Sequence, residues 1–560
     1  MEIKVIFQPE KKIVYVLSGT SIMEAAILAG ISLTNLCGDQ GTCGKCVVKV
    51  IKGAFEPTVL EQKHLSSDKL KQGIRLACQS KIYQESVIFV EKEVKLYKEK
   101  ILSLQRENKI SFESTIKKYY FHLEKPNIET QISLFENLQT CLKNKTGKIF
   151  QPNLFLLQKL TDFLQKSDYK ITVVVDNEKI IALEQNDTTN KNYGFAFDIG
   201  TTTVVGTLMN LNTGEEILTE VFLNKQTKFG ANVISRINFC INQKNGLMQL
   251  HQEIINTINE IIIKIAKQTK IKKENIYEMC IVGNPCMQHL FFKISPKSLG
   301  IFPFVSVISN NFKEKSSCLK LKINKKANVY SLPNISSFVG SDIIGIIFVS
   351  EIYKKDKISL CIDIGTNGEI VLGSKHRLLS CSTAAGPAFE GGEISCGMRA
   401  TQGAIEKVIL EDDVIVNVIG NIEPCGICGT GLIDLVAEML KKGILDSTGK
   451  FKTKKELQNN LSPLLLKRLD NNAFYLSSKI KITQKDIRNL QLAKAAIKAG
   501  IEVLKKILEI ENEDIEQVYI AGTFGNYIRK ENALKIGLIP NIDSSKIRFI
   551  GNAAQTGSKM

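Results

Sequence analysis

No stretch of this sequence is apolar over the ~18 residues that a membrane-crossing helix requires, so no span is expected. The opening residues, Met1-Glu2-Ile3-Lys4-Val5, are not a basic stretch followed by an apolar signal core, so export is not expected either. The chain therefore reads as cytoplasmic, where thiols stay reduced and clustered cysteines serve as metal ligands more often than as disulfides. Lysine and arginine outnumber the carboxylates, giving a formal net charge of +17. Yet no run of five or more basic residues occurs, and no basic stripe is interleaved with aromatics. Nucleic acid is thus a disfavoured partner, and an acidic protein is the better fit to the charge. Histidine is scarce, with five dispersed residues, and His289 sits in an apolar stretch that reads as core. Cys425-Gly426-Ile427-Cys428 has no second pair and no histidine near it, which argues against zinc. Eight further cysteines (Cys141, Cys240, Cys280, Cys286, Cys318, Cys361, Cys381 and Cys396) read as small buried apolar residues.

The chain does carry ordinary globular composition, with 44% hydrophobic and 23% charged residues over 560 positions. At roughly 150 residues per domain that length predicts three or four domains. Residues 1–92 alternate as short strands around one helix and a glycine-rich cysteine loop. Residues 93–120 are expected to be a charged linker and 121–190 a small middle domain, with strands at Ile171–Val175 and Lys179–Leu183. From 191 to 560, strands alternate with amphipathic helices such as Leu250–Ala266 and Leu490–Ile510, an α/β pattern. An internal near-repeat divides this part at about 345. Phe197-Asp198-Ile199-Gly200-Thr201-Thr202-Thr203 recurs 165 residues later as Ile362-Asp363-Ile364-Gly365-Thr366-Asn367-Gly368.

The cysteine loop runs Cys37-Gly38-Asp39-Gln40-Gly41-Thr42-Cys43-Gly44-Lys45-Cys46, and Cys78 follows after 31 intervening residues. A two-iron cluster needs four thiolates, three of which a tight loop can supply while a distant strand supplies the fourth. The interspersed glycines allow the backbone to wrap the cluster. Five residues separate the first two cysteines, a spacing that resembles the adrenodoxin-like [2Fe-2S] ferredoxins. Cys37, Cys43, Cys46 and Cys78 are the expected ligands.

Each Asp-Ile-Gly-Thr follows an apolar strand. Gly200 and Gly365 let the main chain approach phosphate oxygens, and Thr201, Thr202, Thr203, Thr366 and Asn367 offer donors to them. Asp198 and Asp363, at strand ends, can hold Mg²⁺, usually through water. In a third motif, Ile520-Ala521-Gly522-Thr523-Phe524-Gly525-Asn526, glycines after a strand would pack flat on a nucleoside. The set resembles the two phosphate motifs and the adenosine motif of the superfamily of acetate and sugar kinases, heat-shock chaperones and actin. That resemblance implies two ribonuclease-H-like subdomains, about 191–345 and 346–560, around an ATP cleft. Asp198 is expected on Mg²⁺, and Asp363 on the metal or the attacking water. Gly522, Thr523 and Gly525 are expected on the adenosine. The whole would be an α/β chain with an N-terminal α+β, β-grasp ferredoxin domain.

A ferredoxin joined to this ATPase is similar to the ATP-dependent reductive activators of corrinoid proteins. Matching segments include Phe229–Ile237, Val282-Gly283-Asn284, Phe338–Asp342, Gly386–Gly391, Cys425–Asp434 and Asp486-Ile487-Arg488. The chain departs from the family pattern at Pro285-Cys286 and at Asn232, where an Asp is common. The resemblance implies one-electron reduction of Co(II) to Co(I) on a corrinoid methyl-carrier protein, coupled to ATP hydrolysis. It also implies a low-potential electron donor and a homodimer formed through the ATPase domain. The competing expectation is an iron–sulfur electron carrier whose ATP site regulates docking to another low-potential acceptor.

Overall fold

The computed structural model describes residues 2–9, 11–29, 31, 33, 41, 44, 46–90, 112–129, 131–365, 367–470, 472–522 and 528–560. In the first unit Ile3, Val5 and Phe7 alternate inward along strand Glu2–Gln8. That strand pairs antiparallel with Lys12–Leu17 and parallel with Ser86–Phe89. Val47–Lys52 and Ile74–Leu76 complete a mixed five-stranded sheet, and helix Ile22–Leu28 covers one face. This is a β-grasp arrangement. Residues 93–111 of the expected charged linker lie outside the described residues.

A second unit starts earlier than expected. Strand Ile116–His122, within the anticipated linker, pairs with Lys170–Asp176, which in turn pairs with Lys179–Gln185. Its strand ends fall close to the expected positions because β-branched runs mark them. Helices Leu134–Thr146 and Leu154–Lys166 are capped by Ser133 and Asn153 and bury Leu138, Leu142, Leu156, Leu160 and Leu164 against the sheet. The sheet's other face packs on the next domain. There Ile116, Val174 and Ile181 meet Tyr277, whose hydroxyl donates to Glu184 at 2.6 Å, and Lys118 Nζ reaches the same carboxylate at 2.6 Å.

The remaining chain forms two lobes with matching sheets. In the first, Glu216–Leu223, Thr203–Asn210 and Tyr193–Ile199 run antiparallel, and Ile276–Gly283 joins the last of them in parallel. In the second, Leu378–Thr383, Gly368–Gly373 and Ile358–Ile364 repeat that order, followed in parallel by Ile515–Ala521 and Ile547–Gly551. The sequence near-repeat is thus the first hairpin of each lobe. Long helices Gly246–Thr269 and Gln484–Leu508 back the two sheets. Each presents an apolar stripe, Leu250, Ile254, Ile258, Ile261 and Ile265 in one, Ile487, Leu490, Ile497, Ile501 and Leu504 in the other.

The lobes are not divided cleanly at 345. Helix Ser341–Ser350 spans that position, and the last helix, Ala553–Lys559, crosses back to the first lobe. There Gln555 Nε2 donates to Ala196 O at 3.0 Å and to Thr207 Oγ1 at 2.8 Å. The two helices touch at Gly345 and Gly557, where a Cβ on Gly557 would lie 2.2 Å from Gly345 Cα. No helix among the described residues is long and apolar enough to cross a membrane. Of the cysteines expected in the core, Cys286 and Cys361 are buried and most others half-buried, but Cys318 is exposed. It sits on the turn Ser316–Lys320, whose backbone hydrogen bonds leave its side chain outside.

Candidate functional site

Cys46 and Cys78 come together at the edge of the ferredoxin core, with their sulfurs 3.3 Å apart and no disulfide between them. That separation is far beyond a disulfide bond of ~2.05 Å. Ala77 N donates to Cys46 O at 2.8 Å, which fixes the two ligand segments side by side. Gly41 and Gly44 hold φ of +69° and +64°, and a Cβ at either would strike Gln79 or His64. The positive φ and these close contacts favour glycine at both positions. Gln79 Nε2 also reaches Cys78 Sγ, at 3.3 Å. Cys37 and Cys43 lie outside the described residues. Two cysteine sulfurs converging in this way fit an iron–sulfur cluster.

Glu61, which sequence reasoning missed, holds the turn that carries Cys78. Its fully buried carboxylate accepts from Leu76 N at 2.8 Å and Ser80 Oγ at 2.6 Å. The same group closes a capping box with Thr58. A Thr-x-x-Glu pattern marks the cap in sequence, but nothing in it marks the reach to residue 76.

In the first lobe the loop Gly200–Thr202 turns between two strands and is held from beneath. Asn224 Nδ2 donates to Gly200 O at 2.9 Å, and Asn284 Nδ2 to Thr201 Oγ1 at 3.0 Å. Arg236, fully buried, donates to Thr201 O, to Gly230 O at 2.9 Å and to Gln226 Oε1 at 3.0 Å. Burial lowers its guanidinium only to about 10, so it stays cationic at neutral pH. Both departures from the family pattern lie at helix starts here. Asn232 Oδ1 accepts from Ser235 N at 2.8 Å, and Asn284 Oδ1 from Met287 N at 3.0 Å, with Pro285 at the first helical position.

Four carboxylates converge where the lobes meet. Burial, partly offset by the hydrogen bond from Asn552 Nδ2 at 3.0 Å, raises Asp198 to about 6. Burial and then the charge of Asp198 raise Asp342 to about 7. Burial and then Asp342 and Asp198 raise Asp363 to about 7. Glu369 is raised by burial and then by Asp342 and Asp363. Glu369 stands directly across the antiparallel pair from Asp363, where the first lobe has Val205 opposite Asp198. Among the described residues no three such groups are close enough to cage a metal ion by themselves.

Gly522 follows strand Ile515–Ala521 with φ of +93°, and a Cβ there would fall 2.7 Å from Asp363 Oδ1. The third motif thereby abuts the second. Gly365 N donates to Asn367 O at 3.0 Å, closing the second turn. Thr366, Thr523 and Gly525 lie outside the described residues. Arg529, just beyond them, donates to Asp434 Oδ1 at 2.9 Å and Val408 O at 2.6 Å. Cys425 is exposed, whereas Cys428 is buried against Ile405 O and Thr430, so the pair does not act as one site. His289 is a core residue, as expected, with Nδ1 on Pro285 O at 2.7 Å.

Four family descriptions match in series: 2Fe-2S iron-sulfur cluster binding domain over 5–83, RACo linker region over 105–190, RACo middle region over 193–355, and the C-terminal domain of RACo, the ASKHA domain, over 357–560. The corrinoid activation enzyme RamQ of Eubacterium limosum is 33% identical over 544 residues, covering 95% of this chain and 88% of that protein. The chain belongs to the RACo family. A solved reductive activator for corrinoid, iron-sulfur protein is 34% identical, with a TM-score of 0.72 over 100% of this chain and 92% of that one. The [Co(II) methylated amine-specific corrinoid protein] reductase of Methanosarcina barkeri is 27% identical over 65% of this chain and 68% of its own. The RACo architecture fixes the fold as a 2Fe-2S ferredoxin-type domain followed by an actin-like ATPase, and it carries a [2Fe-2S] cluster and an ATP site with it.

Proposed function

We propose that this protein reactivates a corrinoid methyl-carrier protein by reducing its cobalt from Co(II) to Co(I), coupled to ATP hydrolysis. The observation that carries this is the joining, in one chain of RACo architecture, of converging cysteine sulfurs on a ferredoxin unit to a two-lobed cleft lined by carboxylates. When bound, the cluster supplies the single electron that Co(II) takes up. Cys37, Cys43, Cys46 and Cys78 would hold it, with Gln79 donating toward the Cys78 sulfur and Glu61 fixing the turn.

In the cleft, Gly200, Thr201, Thr202 and Thr203 would cradle phosphate from the first lobe, and Gly365, Thr366 and Asn367 from the second. Asp198 and Asp363 would orient hydrated Mg²⁺ and the attacking water. Gly522, Thr523 and Gly525 would take the adenosine. Arg236 holds the Thr201 carbonyl from below, so the loop's N–H groups face the anion with a buried positive charge behind them. With no ligand, ionised carboxylates repel across the cleft. A nucleotide with its cation removes that repulsion, so it favours closure by its differential affinity for the closed state. We further infer a homodimer, a low-potential donor and a cytoplasmic setting.

The test is direct. Pre-reduced protein is mixed with a Co(II) corrinoid protein and the Co(I) absorbance is followed with and without Mg·ATP. ATP-dependent Co(I) is expected. Co(I) at the same rate without ATP, or none with it, defeats the proposal.

A further inference from the structure

We propose that the segment Ile301–Val307, with Phe338 beside it, docks the partner protein, and that the partner meets it with an apolar patch ringed by carboxylates. The proposal rests on the functional reading above and names the surface that it leaves open.

In Ile301-Phe302-Pro303-Phe304-Val305-Ser306-Val307, Phe302 is 81% exposed, Val307 61%, Val305 54% and Ile301 49%. Phe302 and Phe304 stack edge-on at 6.0 Å, and Phe304 meets Phe338 at 6.1 Å. Contiguous apolar surface of this kind marks an interaction site more often than idle surface. A shallow depression of about 450 Å³ lies against Lys297, Ile301, Phe302, Val305 and Val307.

The segment is also preorganised. Val307 N donates to His289 Nε2 at 3.1 Å, while His289 Nδ1 pairs with Pro285 O at 2.7 Å, the neutral tautomer. Ser306 N donates to Ser337 Oγ at 3.0 Å. A surface held in place before binding loses little entropy when a partner arrives.

Charge selects the occupant. Between Met287 and Ser341 the chain carries eight lysines and one carboxylate, Glu314. Lys293 and Lys297 are exposed beside the apolar segment. A second copy of this chain would bring the same lysines against them, whereas a carboxylate-rimmed partner is attracted and steered.

The surface also connects to the nucleotide cleft. Phe338 lies four residues before Asp342. The intervening chain is pinned, with Ser341 Oγ donating to Gly283 O at 2.9 Å and Ile335 N donating to Val339 O at 2.9 Å. A Cβ on Gly340 would lie 2.6 Å from Asn284 Cα, and Asn284 holds Thr201. A cation that draws Asp342 therefore pulls on the chain that supports the docking aromatics.

The test measures binding of a Co(II) corrinoid methyl-carrier protein to the full-length chain by interferometry at low and high salt, with sedimentation velocity on each variant. Phe302→Asp is expected to weaken binding about tenfold or more. Lys297→Glu should weaken it and flatten its salt dependence. Ile128→Asp, at a 90% exposed site on the second unit, should bind as wild type. ATP hydrolysis without partner should be unchanged in all three, and Val305→Asp repeats the test should Phe302→Asp lose that activity. Wild-type affinity in Phe302→Asp overturns the proposal, and so does a wild-type chain that binds no corrinoid protein. Conversion of a dimer to a monomer with partner affinity kept also overturns it and assigns the face to a second copy. Phe302-dependent binding without ATP-dependent Co(I) supports the docking surface while defeating the functional reading.

Discussion

Replacing Asp342 by asparagine should stabilise the nucleotide-free protein, and most at neutral to alkaline pH. Asp342 and Asp363 are each raised from 3.8 to about 7, by burial first and then by Asp198 for Asp342 and by Asp342 and Asp198 for Asp363. The folded chain thus holds protons that the unfolded chain has already released. Stability is undiminished below about pH 4, falls as pH rises from about 4 to 7, and stays reduced above that. At about 1.4 kcal/mol per pH unit, one such carboxyl costs at most ~4 kcal/mol once ionised. Water entry and relaxation reduce this, so about 2 kcal/mol is the working figure. The Asp342→Asn side chain keeps an acceptor oxygen for Ile343 N, which Asp342 Oδ1 holds at 2.9 Å, so the local backbone is retained. Thermal melts should show a rise of roughly 2–4 °C at about pH 8, about a third of that at about pH 5 and almost none at about pH 4. Mg·ATP should stabilise the variant less than the wild type, because one of the charges that the cation relieves is gone. An equal shift at all these pH values, or a destabilised variant at about pH 8, would refute the electrostatic account of the cleft.

Glu61→Gln places an amide donor against Leu76 N or Thr58 N, a mismatch of about 1–3 kcal/mol. Bleaching of the cluster's visible absorbance on mild heating should be faster, with ATP affinity unchanged. Gly522→Ala forces a Cβ to 2.7 Å from Asp363 Oδ1 at a φ of +93°. Calorimetric Mg·ATP affinity should fall by about tenfold or more, roughly 1.4 kcal/mol, with the cluster spectrum intact. Cys78→Ala should lose normal cluster assembly yet still bind ATP, since its sulfur contacts lie within the first unit.

The parts of the site that were legible in sequence are those written as local backbone geometry. Gly200 and Gly365 mark strand-to-loop turns beside an acidic residue, and a turn is a contiguous pattern. The repeat of that pattern announced two lobes, and the five strands of the second sheet follow the order of five of the six in the first. What was not legible depends on distance along the chain. Asn552 reaches Asp198 from 354 residues away. Glu369 joins the carboxylates only through the register that sets it opposite Asp363. Asp342 stands at the start of a helix that looks merely apolar in sequence. Glu61 was missed because its bonds to Leu76 and Ser80, 15 and 19 residues on, exist only in the fold. The lobe boundary also escaped, because the last helix leaves its own lobe to pack on Ala196 and Thr207. Cys318 was misjudged because a small apolar residue on a tight turn follows the turn, not its own hydrophobicity.

The most direct test is a single-turnover experiment. Protein with its cluster fully reduced is held with a Co(II) corrinoid protein, no free reductant is present, and Mg·ATP is added while Co(I) absorbance and phosphate release are read together. The expected result is about one Co(I) per reduced cluster, appearing only after ATP, and absent from both Cys78→Ala and Asp363→Asn. Full Co(I) formation before ATP is added, or phosphate release with the cobalt left as Co(II), would contradict the account.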